Sequence, residues 1–179
     1  MLNKHQSTFV LVDVQGRLAE IVHESSRMEQ NLVKLIRALK ILDVPIVWLE
    51  QYPEGLGPTS PAVAVHLNGL EPIKKMTFNG CYNPEFMKKT EDQGRQQIIV
   101  GGIEAHVCVC QTSLGLKKAG YEVHVPVDAV SSRTPENKNI GLERMKNAGI
   151  IITGVETAVF ELLETAESRE FKKVIQLLK

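Results

Sequence analysis

Apolar residues follow two patterns along the chain, short continuous runs and a wider helical spacing. Continuous apolar runs are typical of strands that are buried on both faces of a sheet. They predict strands near residues 8–14, 45–49, 71–78, 98–102, 121–128 and 149–153. Apolar residues three or four positions apart predict helices over 25–42, 84–92, 108–120, 135–145, 156–164 and 171–178. Ser25 or Ser26 is expected to cap the first of these helices, and Asn83 the second, with Pro84 at its first helical position.

The alternation of strands and helices predicts an α/β fold. We expect a single domain, residues 1–179, built on one doubly wound, Rossmann-like parallel sheet of about six strands with helices on both faces. The segment 50–69 is rich in Gly and Pro and has no such pattern. A long loop in a compact domain is usually functional, so we expect this one to form a lid or an interface.

The charge balance argues against several classes of partner. The chain has 21 basic and 21 acidic residues, a formal net charge of +0, so no excess charge attracts nucleic acid or an anionic membrane. No apolar run approaches the about 18 residues that span a bilayer, and residues 1–6 lack the layout of a signal peptide. Three cysteines are too few for a disulfide framework. We therefore predict a cytoplasmic protein that binds neither nucleic acid nor membrane.

The most informative stretch is 98–110, a buried strand that turns through Gly101 and Gly102 into a helix. Such a turn brings a helix N-terminus to the carboxyl edge of the sheet, where α/β folds bind ligands. Cys108 lies in the first turn of that helix, where we expect the thiolate to be stabilised and the pKa of the thiol to be lowered. The unpaired N–H groups of the same turn could hold an oxyanion. The alternative is that Cys108 is a core residue, as most free cysteines are.

Two further reactive side chains are expected near the same edge of the sheet. Asp13 interrupts the first apolar run near its end, and Lys75 lies in the third predicted strand. The first and fourth strands of such a sheet are often neighbours, so Asp13 and Cys108 are expected to face each other. An acid–base carboxylate beside a thiol, with an ammonium group near both, suits nucleophilic catalysis. A Cys108–His106 pair is disfavoured because residues two apart lie on different helix faces.

Four motifs, in order along nearly the whole chain, resemble those of the isochorismatase-like cysteine hydrolases, which include nicotinamidases and N-carbamoylsarcosine amidohydrolases. Asp13-Val14-Gln15 is similar to the first-strand Asp-x-Gln, and Lys75-Met76-Thr77-Phe78-Asn79 to Lys-x-x-Phe-Ser. The stretch 102–109, GIEAHVCV, resembles the nucleophile turn, and the stretch 128–133, DAVSSR, resembles Asp-Ala-x-x-Ser-Arg. The segment 50–59, EQYPEGLGPT, narrows the likeness to the isochorismatase domain-containing subgroup.

The resemblance implies a fold, an activity and a set of residues. It implies a catalytic triad of Asp13 as general base, Lys75, and Cys108 as nucleophile. It also implies a cis peptide between Ile103 and Glu104, with the backbone N–H groups of Glu104 and Cys108 forming the oxyanion hole. By family position, Gln15, Leu18 and Phe78 could line the substrate pocket. Since the family is commonly oligomeric, the resemblance also implies a homo-oligomer.

One departure from the family pattern limits the chemistry. Metal-binding nicotinamidases carry Asp-x-His after the second strand, whereas Trp48-Leu49-Glu50-Gln51 stands there in this chain. We therefore expect no metal and no cofactor, and we do not expect nicotinamide as the substrate.

The predicted function is hydrolysis of a small amide or related acyl compound through a thioester. The alternative is a catalytically weak family member that acts as an oligomeric binding or regulatory protein. A redox sensor using Cys108 and Cys110 is a third possibility, which their helical placement disfavours.

Overall fold

The computed structural model describes residues 1–178 of the 179. At its centre is a seven-stranded sheet in the order β3-β2-β1-β4-β5-β7, with β6 also paired to β4 and every pairing parallel. The strands are β1 (Ser7–Val12), β2 (Ile46–Gln51), β3 (Ile73–Lys75), β4 (Gln97–Ile103), β5 (Glu122–Pro126), β6 (Val130–Ser131) and β7 (Ile151–Thr153). The predicted doubly wound parallel sheet is confirmed, with one more strand than expected. The additional strand, β6, has two residues, too few to produce a recognisable apolar run.

Helices cover both faces of this sheet. They are α1 (Gly16–Ile21), α2 (Ser25–Ile41), α3 (Pro53–Leu56), α4 (Pro61–Ala64), α5 (Pro84–Glu91), α6 (Cys108–Lys118), α7 (Pro135–Asn147), α8 (Val155–Leu163) and α9 (Phe171–Leu178). In the part of the chain that the structure describes, no helix is long and apolar enough to cross a membrane.

Two apolar layers separate the sheet from these helices. Side chains alternate across a strand, so Phe9 and Leu11 of β1 pack with α2, α8 and α9, whereas Val10 and Val12 pack with α5, α6 and α7. Because both faces are covered, a central strand must be apolar at every position, which explains the continuous runs in the sequence.

The carboxyl ends of β1 and β4 lie side by side, as predicted from the doubly wound pattern. Leu11 is paired with Gly101 and Val12 with Gly102. Gly102 has a φ of 123°, and a Cβ atom built there would lie 2.0 Å from the carbonyl oxygen of Val12. Only glycine permits this close approach. Asp13 and the turn toward Cys108 therefore start from adjacent points of the sheet edge.

The two predicted helix caps differ in outcome. The side chain of Asn83 accepts a hydrogen bond from the N–H of Phe86, which confirms the cap of α5. The prediction for α2 is wrong: the residue before that helix is Glu24, in the left-handed region with a φ of 50°, and no side chain caps the helix. Ser25 is already the first helical residue, so the left-handed backbone conformation of Glu24 marks where the helix begins.

The Gly- and Pro-rich segment after β2 is folded rather than open. It contains α3 and α4 and is tied to the chain that follows β1 through three hydrogen bonds. The N–H of Gly16 donates to the carbonyl of Pro58 at 3.1 Å, and the N–H of Ser60 donates to the carbonyl of Val14 at 2.8 Å. The segment thus lies against the same edge of the sheet as Asp13.

Candidate active site

Asp13, Lys75 and Cys108 meet at the carboxyl edge of the sheet. Asp13 is the first residue after β1, Lys75 is the last residue of β3, and Cys108 is the first residue of α6. Their exposed fractions are 2%, 2% and 7%. Because β2 separates β3 from β1, Lys75 has to extend across the end of β2 to reach Asp13.

The ammonium group of Lys75 is fully hydrogen-bonded. Its Nζ lies 2.7 Å from Oδ2 of Asp13, 2.7 Å from Oε1 of Gln51 and 3.2 Å from the carbonyl oxygen of Thr77. An ammonium has three hydrogens to donate, so these three oxygens account for all of them. This satisfies the requirement that a buried charge be paired and hydrogen-bonded.

The second oxygen of Asp13 is in a different situation. Oδ1 is buried and accepts no regular hydrogen bond from residues 1–178. The thiol of Cys108 lies beside this carboxylate, close enough for the two groups to influence each other's protonation. One side of the carboxylate is therefore held by Lys75 and the other is free to exchange a proton.

Burial and charge act in opposite directions on Asp13. Burial raises the pKa of this carboxyl above its ordinary value, and the nearby Glu50 carboxylate adds to the rise. The Lys75 ammonium lowers the pKa, both by its charge and by its hydrogen bond, but burial is the larger effect.

The pKa of Cys108 corrects one prediction. Burial and the negative charge of Asp13 raise the pKa of this thiol to about 12, and Lys75 only partly opposes them. The lowered pKa expected from the helix N-terminus is wrong, because the thiol is buried and the negative charges of Asp13 and Glu104 disfavour a further one. The resting residue is a protonated thiol.

The chain between β4 and α6 forms a compact turn with a cis peptide between Ile103 and Glu104, as the family resemblance implies. The carbonyl of Glu104 accepts hydrogen bonds from the N–H groups of Val107 and Val109, and the N–H of Ala105 donates to Ser131. The N–H of Cys108 belongs to the first turn of α6, where amides have no acceptor within the helix.

The side chain of Glu104 ties this turn to Arg133. Its Oε1 accepts from the backbone N–H of Arg133 at 3.0 Å and from Nε of Arg133 at 3.1 Å. Glu104 is 7% exposed, so this ion pair compensates a buried charge. Two stretches singled out in the sequence, 102–109 and 128–133, are thereby joined.

Neighbouring residues of the same chemical types do not join the site. Lys74 is exposed and paired with Glu54 at 3.3 Å, because consecutive strand residues point to opposite sides. Nδ1 of His106 is bonded to the hydroxyl of Ser132 at 3.0 Å. Cys110 is buried in the core, and the half-buried Cys81 lies near the carbonyl of Thr112.

The three residues expected to line the substrate pocket occupy different environments. Gln15 is completely buried, and its amide is bonded to the backbones of Gln51 and Gly57. Leu18, on α1, is partly buried against the core. Phe78 is 55% exposed in the loop after β3. Their contact with substrate stays a prediction.

Two buried polar residues at the end of β2 were missed by sequence reasoning. Gln51 contacts Lys75, and Glu50 accepts hydrogen bonds from the N–H and hydroxyl of Thr59 at 2.8 and 2.7 Å. The available signal was their position: polar residues that close a buried strand beside β1 lie at the ligand-binding edge of the sheet. Within the described range 1–178, no cluster of three or more His, Cys, Asp or Glu is suited to hold a metal ion.

Comparison with known families shows where the chain as a whole belongs. The family model described as "Isochorismatase domain" matches residues 7–157. The chain belongs to the isochorismatase family. Family membership supports a hydrolase-type function in general, without specifying a substrate.

Two curated relatives match the chain along almost its whole length. A secreted isochorismatase effector of Phytophthora sojae is 36% identical over 180 residues, covering 98% of this chain and 85% of the relative. The isochorismatase domain-containing protein 2 of Danio rerio is 32% identical over 178 residues, covering 99% and 89%.

Two solved structures have the same fold. The MAR1 ribonuclease of Caenorhabditis elegans has a TM-score of 0.92 and 35% identity, covering 99% of this chain and 91% of that one. The YcaC gene product of Escherichia coli, described as an octameric hydrolase of unknown specificity, has a TM-score of 0.89 and 24% identity, covering 99% and 86%. At that identity the second comparison establishes the fold alone.

Proposed function

We propose that the protein is a cysteine-dependent hydrolase of a small amide or related acyl compound. The observation that carries the proposal is the divided carboxylate of Asp13: Lys75 holds Oδ2 and does not contact Oδ1, and the Cys108 thiol lies beside the same carboxylate. A nucleophile next to a base that a third group holds in place is the usual arrangement for covalent catalysis. The roles are nucleophile for Cys108, proton carrier for Asp13 and positively charged anchor for Lys75.

In the first half of the reaction, the thiol proton moves to Asp13 as the sulfur attacks the carbonyl carbon. The carbonyl π electrons move onto oxygen, and the resulting oxyanion is held by the N–H groups of Glu104 and Cys108. Asp13 then returns the proton to the amine nitrogen, the C–N bond breaks and the amine leaves. A thioester between the acyl group and Cys108 remains.

In the second half, water takes the place of the amine. Asp13 accepts a proton from the water molecule while the water oxygen attacks the thioester carbon. The C–S bond breaks when the second tetrahedral intermediate collapses. The proton returns to the sulfur, and the acyl group leaves as a carboxylic acid. A carboxyl pKa raised above its ordinary value suits a group that both accepts and donates a proton within one cycle.

The raised pKa of Cys108 determines how the attack begins. With a pKa of about 12, almost no thiolate exists at neutral pH before substrate binds. Proton transfer to Asp13 must therefore accompany formation of the C–S bond. The ion pair between Lys75 and Asp13 keeps the base in place throughout.

We also propose that the protein works as a homo-oligomer. Met76, Phe78 and Tyr82 follow the catalytic lysine along the chain and are 69%, 55% and 74% exposed. Apolar side chains grouped in this way mark a surface that is covered in the functional assembly. The octameric state described for the E. coli structure supports a second copy of the chain as the covering partner.

The deciding experiment is a screen of small neutral amides, with released ammonia or amine as the readout and intact mass to detect an acyl-enzyme. We expect one amide class to be hydrolysed and Cys108→Ala to lose about 10⁴-fold or more in rate. Cys110→Ala is the matched control and should keep full activity. Retained hydrolysis in Cys108→Ala would overturn the proposal.

RNA and isochorismate belong in the same screen because the names of two relatives include ribonuclease and isochorismatase. Turnover of either one, with every amide inert, would replace the proposed substrate class. If no compound is hydrolysed and no adduct forms on Cys108, the binding or regulatory alternative is favoured. The predicted absence of nucleic-acid binding is tested by the same RNA sample.

A further inference from the structure

We propose that Gln51 is a positioning residue that fixes the Lys75 ammonium against Asp13. Gln15 in turn links the backbone of Gln51 to the segment following β2. The inference rests on the proposed function in one respect, the catalytic importance of Asp13. Its physical content is a continuous chain of hydrogen bonds that runs from Gly57 through Gln15, Gln51 and Lys75 to Asp13.

The orientation of the Gln51 amide is fixed by its two neighbours. Its Nε2 lies 2.8 Å from the carbonyl oxygen of Met76, which only accepts hydrogen bonds, so the NH₂ group must point there. Its Oε1 then faces Nζ of Lys75 at 2.7 Å, where only an acceptor is useful. The side chain is 7% exposed, so water does not compete freely for either contact.

The backbone of Gln51 is held just as firmly. Oε1 of Gln15 accepts from the N–H of Gln51 at 2.7 Å, and Nε2 of Gln15 donates to the carbonyl of Gln51 at 3.0 Å. The same Nε2 donates to the carbonyl of Gly57 at 2.7 Å, just after α3. Gln15 is thus a clamp that joins the end of β2 to the segment lying over the sheet edge.

This network accounts for the location of the positive charge. Lys75 is rooted on β3, two strands away from Asp13, and its long side chain has many conformations. Without Gln51, the buried ammonium would keep Asp13 and the carbonyl of Thr77 as acceptors and would have one hydrogen unpaired. The ammonium would then shift toward other acceptors or solvent and leave the Asp13 carboxylate less well compensated.

The test reads the protonation of Asp13 directly and needs no substrate. The aspartates of the chain are Asp13, Asp43, Asp92 and Asp128, and selective ¹³C labelling of their carboxyl carbons allows an NMR titration in which Asp13→Asn identifies the Asp13 signal. We expect Gln51→Met to raise the pKa of Asp13 by about one unit, because an opposite charge that is less well placed stabilises the carboxylate less. Gln30→Met, the same change on the exposed surface of α2, should leave the signal unchanged.

A second pair of variants shows whether Gln51 acts through the lysine. In a Lys75→Met background, Gln51→Met should shift the pKa of Asp13 no further, since the effects of substitutions within one hydrogen-bond network are not additive. A shift of equal size in that background would overturn the inference. So would a Gln51→Met protein that is less stable but titrates as the wild type does, because Gln51 would then be merely structural.

These outcomes are separate from those of the amide screen. The titration tests the placement of Lys75 whether or not an amide is hydrolysed, whereas the Cys108→Ala comparison tests the reaction. A shifted Asp13 signal with no hydrolysis would support the positioning role and reject the proposed function. An unshifted signal with Cys108-dependent hydrolysis would do the reverse.

Discussion

Lys75 holds only one of the two carboxylate oxygens of Asp13. Its ammonium lies 2.7 Å from Oδ2, while Oδ1 accepts no regular hydrogen bond from residues 1–178. A carboxylate held in this way can take up a proton at Oδ1 without giving up its contact with the lysine. In the proposed mechanism, the buried ion pair therefore serves proton transfer as well as packing.

Replacing Asp13 should separate thiol acidity from catalysis. Burial and the charge of Asp13 together raise the pKa of Cys108 to about 12. Asp13→Asn removes the charge and is therefore expected to lower the pKa of this thiol. The variant should contain more thiolate at alkaline pH and yet lose about 10²–10⁴-fold in amide hydrolysis, because the base and acid are gone.

Thiolate ultraviolet absorbance and the pH dependence of iodoacetamide labelling, with mass mapping to Cys108, provide the measurement. In the wild type, labelling of Cys108 should be slow below neutral pH. An Asp13→Asn protein whose thiol titrates at a higher pH than the wild type would contradict the assigned electrostatics.

Removing the charge of Lys75 should destabilise the protein in a pH-dependent way. The Lys75 and Asp13 side chains are 0% and 3% exposed, and breaking a buried pair costs about 3–5 kcal/mol of unfolding free energy. A raised carboxyl pKa means that the folded state prefers the protonated form of Asp13. The contribution of this group to stability therefore falls as the pH rises above the pKa of Asp13 in the unfolded chain. Lys75→Met strengthens that preference.

We therefore expect the stability deficit of Lys75→Met to grow between about pH 4 and about pH 7. Urea unfolding at the two pH values measures it. Lys74→Met is the matched control, since its ion pair with Glu54 is exposed to solvent and contributes little to stability. A deficit that shrinks toward neutral pH would show that Asp13 does not carry the effect.

The close approach of β1 and β4 at Gly102 gives a prediction about folding. A Cβ at Gly102 would lie 2.0 Å from the Val12 carbonyl oxygen, whereas a Cβ at Gly120, with a φ of 99°, would meet no atom within 4 Å. Gly120→Ala should cost only its backbone strain, about 1–3 kcal/mol. Gly102→Ala should cost distinctly more, measured by chemical unfolding, because the two strands would have to separate. Equal losses would mean that the sheet edge yields easily.

The exposed apolar side chains after β3 predict the state of assembly. Size-exclusion chromatography with light scattering should find a homo-oligomer for the wild type. Met76→Lys combined with Tyr82→Lys should dissociate it, because charges would then be buried in the interface. Val65→Lys, at another exposed apolar residue, is the control. A monomeric wild type would contradict the proposal.

The adjacency of β1 and β4 followed from the sequence, and with it the proximity of Asp13, near the end of a predicted strand, to Cys108, at the start of a predicted helix. Lys75, placed within the third predicted strand, was expected near the same edge of the sheet. The two-residue β6 could not be predicted, since no periodicity exists in so short a strand. Gln51 was missed because its role depends on how far the Lys75 side chain extends across β2. Spacing along the chain does not encode that distance.

The prediction of a lowered pKa for Cys108 was wrong for a related reason. A helix N-terminus favours a thiolate, and the sequence shows where α6 begins. It does not show that the thiol becomes 7% exposed beside Asp13 and Glu104. Burial depth and the sign of the nearest charges are products of tertiary packing, and here they outweigh the helix.

The protonated state of Cys108 also bears on chemical durability. Peroxide and other oxidants attack thiolates, and susceptibility to sulfenic acid formation follows thiolate content and exposure. A buried thiol with a pKa of about 12 offers little of either. We therefore expect the proposed nucleophile to stay reduced between encounters with substrate, with no disulfide or partner thiol needed to protect it.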